Sequence, residues 1–211
     1  MIVYGASLSP FVRKTLAVAA EKGIEVETRI QSPGSADPEF RATSPFGKIP
    51  GLKDGDFMIS DSSAIIAYFE GVKPEPAMIP SEPRARARTV WYDEFGDTIL
   101  AAALAKIFFN RIVAPKFMNL PGDEVAARSA ELTELPPILD YLEGVVPDAG
   151  GFLVGDSVTL ADIAVASPFA NARHLGLDLS KWPRTKAWSD AMLERPSFAR
   201  MVAVETAILA R

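Results

Sequence analysis

Residues 71–83 most constrain what this chain can fold into. The stretch carries Pro74, Pro76, Pro80 and Pro83 without any hydrophobic period, which is the pattern of a linker. Before it, short apolar runs alternate with helical periods. Ile2, Val3 and Tyr4 read as a strand, residues 10–22 as a helix stopped by Gly23, and residues 24–30 as a second strand. A short helix is expected over 37–42. Residues 46–52 and Phe57-Met58-Ile59 then flank Asp54-Gly55, a two-residue hairpin signal. A further helix follows over 64–70, so the order is β-α-β-α-β-β-α. After the linker only long helical patterns remain, over 83–110, 122–145, 159–173, 183–194 and 197–209. The reading is an α+β domain over 1–72, a linker over 73–83 and an all-helical domain over 84–211.

Bulk properties narrow the function. A formal net charge of −5 across 211 residues argues against nucleic acid as the main partner. There is no cysteine and one histidine, His174. Disulfides, thiolate nucleophiles and Cys-based metal or redox sites are thereby excluded for the chain itself, and Ser-His triads and zinc sites are poorly supported, so no metal is expected. No signal-peptide pattern opens the chain. The most apolar stretch, residues 99–109, is interrupted by Lys106 and is too short to span a membrane. The expectation is a cytoplasmic protein with no membrane partner.

The turn from the first strand into the first helix, Tyr4-Gly5-Ala6-Ser7-Leu8-Ser9-Pro10-Phe11, carries two hydroxyls. Proline suits the first helical position, because its missing N–H would be unpaired there anyway. Ser9 then falls at the N-cap, beside unpaired backbone donors and the positive end of the helix dipole. Two roles are open to Ser9: a helix cap alone, or a contact to an anion such as a thiolate brought by a ligand. Later, Asp61-Ser62 opens the third helix, where N–H groups and a hydroxyl suit a carboxylate and the acid suits an ammonium. Thr159-x-x-Asp162 reads as a capping box and hence as a folding element.

With Ser9-Pro10-Phe11, Lys48-Ile49-Pro50 and Asp61-Ser62 in this order before a helical domain, the sequence resembles the cytosolic glutathione transferases, over essentially its whole length. The resemblance implies a thioredoxin-like N-terminal domain that binds glutathione as co-substrate. It implies that Pro50 is cis, so that the backbone of Ile49 pairs with the cysteinyl part of glutathione. Lys48 lies where relatives place a basic or amide residue near the glycyl carboxylate. Asp61 and Ser62 match an acid-serine pair that holds the γ-glutamyl end, though the acid is more often Glu.

Serine-type members carry their catalytic hydroxyl at the start of the first helix. Ser-Pro-Phe of the plant tau-type enzymes aligns with Ser9-Pro10-Phe11. The bacterial beta-type pattern aligns as well and puts Ala6 at its cysteine position, which removes cysteine-dependent chemistry. Ser9 is the first candidate, Ser7 the second, and Tyr4 at the strand end a third. By resemblance, the helix after the linker lines a hydrophobic substrate pocket. Phe95, Thr98, Ile99 and Ala102 are expected on one face by their 3–4 spacing, and Phe11 to join them. A homodimer is implied, with Phe46 as a candidate anchor in the partner subunit.

The function so implied is conjugation of the glutathione thiolate to small hydrophobic electrophiles, a detoxification reaction. Peroxidase or isomerase work at the same site, and a non-catalytic binding module of the same fold, are the alternatives.

Overall fold

The structure is a computed structural model and describes residues 1–210. Packing divides the chain into two compact units, residues 1–86 with 196–211 and residues 87–195.

The first unit holds strands β1 (Ile2–Tyr4), β2 (Glu27–Arg29), β3 (Gly51–Asp54) and β4 (Phe57–Ser60). They form one mixed sheet in the order β2-β1-β3-β4, with β1 parallel to β2 and antiparallel to β3. Helices α1 (Pro10–Glu21), α2 (Pro38–Thr43) and α3 (Ser62–Val72) complete the β-α-β-α-β-β-α order that the sequence predicts. The second strand is shorter than expected. Only Glu27–Arg29 pairs, because β1 offers it just three partners. The hairpin turn also lies one residue later than Asp54-Gly55: Asp54 pairs with Phe57, so Gly55 and Asp56 form the loop, and Gly55 takes φ +59°.

Successive strand residues face opposite sides of the sheet. Val3 and Tyr4 therefore serve two layers, and Tyr4 meets the Phe40 ring of α2 at 6.2 Å. Val12, Ala17, Val18, Ile65, Ile66 and Phe69 from α1 and α3 are fully buried, and these two helices pack on each other.

Four helices belong wholly or mostly to the second unit. Helix α4 runs over Pro83–Phe117. It extends past the predicted end at 110 and is widened by π-type turns at Phe95–Leu100 and Phe109–Val113. By length and composition it could cross a membrane. Within its unit, however, it is a packed helix. Gly96 lies so close to α6 (Leu160–Leu175) that an added Cβ would stand 2.7 Å from the Ala164 carbonyl oxygen. Helix α5 spans residues 124–145, and α7 is Pro183–Leu193. The core of this unit is α6, buried without interruption from Leu160 to Ala172. The sequence groups residues 196–211 with the helical domain, whereas in the structure α8 (Pro196–Leu209) packs on α1.

Candidate functional site

The turn between β1 and α1 begins at Gly5, whose φ of +143° disfavours any side chain. A Cβ there would stand 2.6 Å from Val12 Cγ2, so the strand end can approach α1 this closely only with glycine. Ser9 occupies the N-cap with extended backbone (φ −76°, ψ 127°), and Pro10 follows at the first helical position. The Ser9 carbonyl accepts the first helical bond from the Arg13 N–H at 2.9 Å.

The expected cap bond is not made: the Ser9 hydroxyl donates to or accepts from nothing within the helix. Neither the Ser9 nor the Ser7 hydroxyl has a partner among the described residues, and both residues are half-buried. The N–H groups of Phe11 and Val12 are left over as well, since the first donors of a helix have no partner inside it. One short segment thus offers two hydroxyls and two amide donors at the positive end of a twelve-residue helix.

Tyr4 is placed differently. It is 1% exposed, and its ring lies against Phe40 with the Arg29 guanidinium 5.9 Å from its centre. Its hydroxyl is buried without a hydrogen-bond partner. Burial, and then the neighbouring Glu39 carboxylate, raise its pKa above the ordinary value. Glu39 itself is held low, first by Lys53.

The Lys48-Ile49-Pro50 segment leads into β3. The Ile49–Pro50 bond is cis. Neither the N–H nor the C=O of Ile49 makes a hydrogen bond among the described residues, so both are available to an extended ligand. The Lys48 carbonyl accepts from the Ser44 hydroxyl at 2.6 Å, which ties the loop to the end of α2, while its exposed ammonium has no partner among the described residues.

At the start of α3, Asp61 adopts φ +84°, uncommon for a residue with a side chain and a mark of sites where local strain serves a purpose. Its Oδ1 accepts from the N–H groups of Ser63 and Ala64, both at 3.0 Å. The other oxygen accepts from no donor among the described residues, and the residue is exposed. Asp61 therefore caps the helix with one oxygen and leaves the other open among the described residues. Ser62 follows at the first helical position, 3% exposed.

The residues expected to meet an apolar substrate are not equivalent. Phe11 is half-buried. In the helical unit, Phe95 is 5% exposed and stacks on Trp91 at 5.5 Å and against Tyr141 at 5.5 Å. Tyr92, in the same aromatic cluster, has its phenol pushed up to about 12 by burial and then by Tyr141. Thr98, Ile99 and Ala102 are exposed, and the Thr98 hydroxyl donates to the Glu94 carbonyl. Phe95 thus differs in burial from the other three, across a π-type turn over Phe95–Leu100. Phe46 is 88% exposed.

Sequence reasoning overlooked the charged residues of α1. Arg13, Lys14 and Lys22 are at most 1% exposed. Arg13 pairs with Glu205, the Lys14 ammonium donates to the Ser63 hydroxyl at 3.2 Å, and Lys22 pairs with Glu70. A signal existed: Arg13 stands four residues from the buried Ala17, and Lys22 four from Val18, on the apolar side of the helix.

Comparison with known proteins identifies the family. The family model described as glutathione S-transferase, N-terminal domain, matches residues 3–77, and the one for the C-terminal domain matches 100–196. Glutathione S-transferase 3 of Zea mays is 30% identical over 210 residues, covering 95% of this chain and 92% of its own. A glutathione S-transferase from Rhodospirillum rubrum superposes with a TM-score of 0.85 at 25% identity, covering 95% of this chain and 90% of that one. Glutathione S-transferase I, solved with lactoylglutathione bound, gives a TM-score of 0.83 at 25% identity, with 96% and 98% covered.

A thioredoxin-like N-terminal domain followed by a helical C-terminal domain is the architecture these proteins share. The chain belongs to the glutathione S-transferase family, and its activity class is glutathione transferase.

Proposed function

We propose that this enzyme conjugates the glutathione thiolate to small hydrophobic electrophiles, with Ser9 as the group that stabilises the thiolate. The observation that carries the reading is the α1 start, where the Ser9 hydroxyl is uncommitted and the Phe11 and Val12 amides are unpaired. A hydroxyl donating to sulfur at a helix N-terminus favours thiolate over thiol. Ser7, also without a partner, is the second candidate.

Glutathione would lie extended along the loop before β3. Its cysteinyl backbone would pair with the N–H and C=O of Ile49, held by the Ile49–Pro50 turn. Its α-ammonium would meet the open oxygen of Asp61, and its α-carboxylate the Ser62 end of α3. The Lys48 ammonium would take the glycyl carboxylate. The thiolate then attacks an electrophilic carbon: the new S–C bond forms as the leaving group departs with its electron pair. Positioning and nucleophile activation supply the acceleration. An apolar electrophile suits Phe11, half-buried two residues beyond Ser9. In this reading the working form is a homodimer anchored by Phe46, in the cytoplasm, where thiols stay reduced. Its role there is detoxification.

The deciding experiment is Ser9→Ala assayed with glutathione and an aryl halide, with the pKa of bound glutathione read from thiolate absorbance. Turnover is expected to fall by about 10- to 100-fold, the worth of one hydrogen bond to a charged group, with glutathione affinity kept. Unchanged turnover and thiol pKa would remove Ser9 from this role and turn attention to Ser7.

A further inference from the structure

We propose that Glu205 in the last helix acts, through Arg13, as a positioning residue for the thiolate-activating serine. The inference rests on the reading of Ser9 given above.

Arg13 and Glu205 are both fully buried and stand 192 residues apart in sequence. The guanidinium meets the carboxylate as a two-pronged fork, Nε to Oε1 at 3.1 Å and Nη2 to Oε2 at 2.8 Å. A fork of this kind has essentially one geometry, unlike a lysine pair. A second tie joins the same two helices at their other ends, where the Ser197 hydroxyl donates to Glu21 Oε1 at 2.6 Å. Arg13 and Glu21 are eight residues apart on α1, as are Ser197 and Glu205 on α8, so the helices run antiparallel with a fixed register.

Arg13 also reaches the site through its backbone, because its N–H closes the first turn of α1 on the Ser9 carbonyl at 2.9 Å. Ser9 has no side-chain bond of its own to hold it. Its hydroxyl is therefore located by backbone, through this first turn and through the Ser9 N–H bond to the Ala6 carbonyl at 3.0 Å, and the fork ties the turn to α8. A buried ion pair adds little net stability over apolar residues of similar volume, but in some proteins it fixes a relative orientation, and the single geometry of this fork suits it to that role. A shift of about 1 Å at a reacting group is enough to slow a reaction severely.

The test replaces both partners together, Arg13→Met with Glu205→Met, so that no buried charge is left alone. The expected result is a folded enzyme with its KM for glutathione unchanged, kcat lowered about tenfold and the bound thiol pKa raised. The reversed pair, Arg13→Glu with Glu205→Arg, should recover part of the loss. Wild-type kcat and thiol pKa in the folded Met pair would overturn the proposal. So would a loss in which KM and melting temperature move together, since that marks a merely structural pair. If the Met pair does not fold, Glu205→Gln keeps one acceptor oxygen opposite Arg13 and breaks the two-pronged fork, and the same kcat and pKa readouts decide. In a Ser9→Ala background the Met pair should add no further pKa shift. A Ser9→Ala enzyme with a normal thiol pKa defeats the reading of Ser9, whereas a normal pKa confined to the Met pair defeats only the role of Glu205.

Discussion

Two helices in this molecule begin on a hydroxyl residue, and they use it in opposite ways. At the start of α6, Thr159 sits at the N-cap of a complete capping box. Asp162 returns the bond to the Thr159 N–H at 2.8 Å and accepts from the Leu153 N–H at 2.7 Å as well. Both residues are buried, and every polar group named is satisfied. At the start of α1, Ser9 occupies the same position with an extended backbone too, yet its hydroxyl makes no bond among the described residues. Other helices are capped by Asp37, Asp61, Glu82, Asp123 and, across 41 and 42 residues of sequence, Glu143. Each of these starts is closed by a side chain. An open start on a long, well-packed helix has donors to offer a ligand.

Breaking the closed start should have the larger effect on stability. Asp162→Ala removes the acceptor for two backbone donors and for the Thr159 hydroxyl in a fully buried setting. We expect a loss of about 3 kcal/mol, from leaving buried donors unpaired. In a protein of this size that is a melting temperature lowered by about 6–12 °C. The thiol pKa of glutathione bound to the remaining folded enzyme should not move. Ser9→Ala is the converse, costing turnover while its unfolding free energy stays within about 0.5 kcal/mol of wild type, since it removes no internal bond. A calorimetric scan beside the thiolate titration separates the two outcomes. If Ser9→Ala were as destabilising as Asp162→Ala, the two starts would not differ in kind.

The sequence made the closed start fully legible, because a capping box is local: Thr159 and Asp162 are three residues apart. The β-α-β-α-β-β-α order was legible for the same reason, through periods and turn residues that lie close together. The positions of Ser9, Pro50 and Asp61 could also be singled out, each standing at a predicted boundary. What stayed hidden depends on distance or on a broken period. No local rule pairs Arg13 with Glu205, or brings Glu143 to the start of α7. The π-type turn at Phe95–Leu100 separates Phe95 from Ile99 in burial, and nothing in a 3–4 apolar spacing announces such a turn.

Asp61 stands between the two extremes, since one of its oxygens caps α3 and the other is open. Its two tasks can be split. Asp61→Asn keeps a capping oxygen and tolerates the positive φ but loses the charge. We expect the KM for glutathione to rise about tenfold, the worth of a charge-assisted hydrogen bond, with little change in melting temperature. Asp61→Ala should raise KM similarly and also lower stability by about 1 kcal/mol through the lost cap. Equal KM values for the Asn variant and wild type would leave Asp61 as a cap alone.

The smallest effect belongs to the cap supplied from a distance. Burial would raise the Glu143 carboxyl, but the N–H groups of Thr185 and Arg184, the Thr185 hydroxyl and the Arg184 guanidinium outweigh it and hold its pKa below the ordinary 4.5. A carboxylate with a lowered folded-state pKa contributes stability that is present above its unfolded value. That contribution is lost as the pH falls through the folded one. Glu143→Gln should therefore cost stability at pH 7 and cost progressively less below pH 4.5, so that the urea midpoints of variant and wild type converge in acid. Turnover per folded molecule should stay at the wild-type level throughout, because a closed helix start contributes to folding only. Midpoints that stay parallel from pH 7 to pH 3.5 would show that Glu143 does not work as a charged cap, and would take α7 out of the set of closed starts against which α1 is judged.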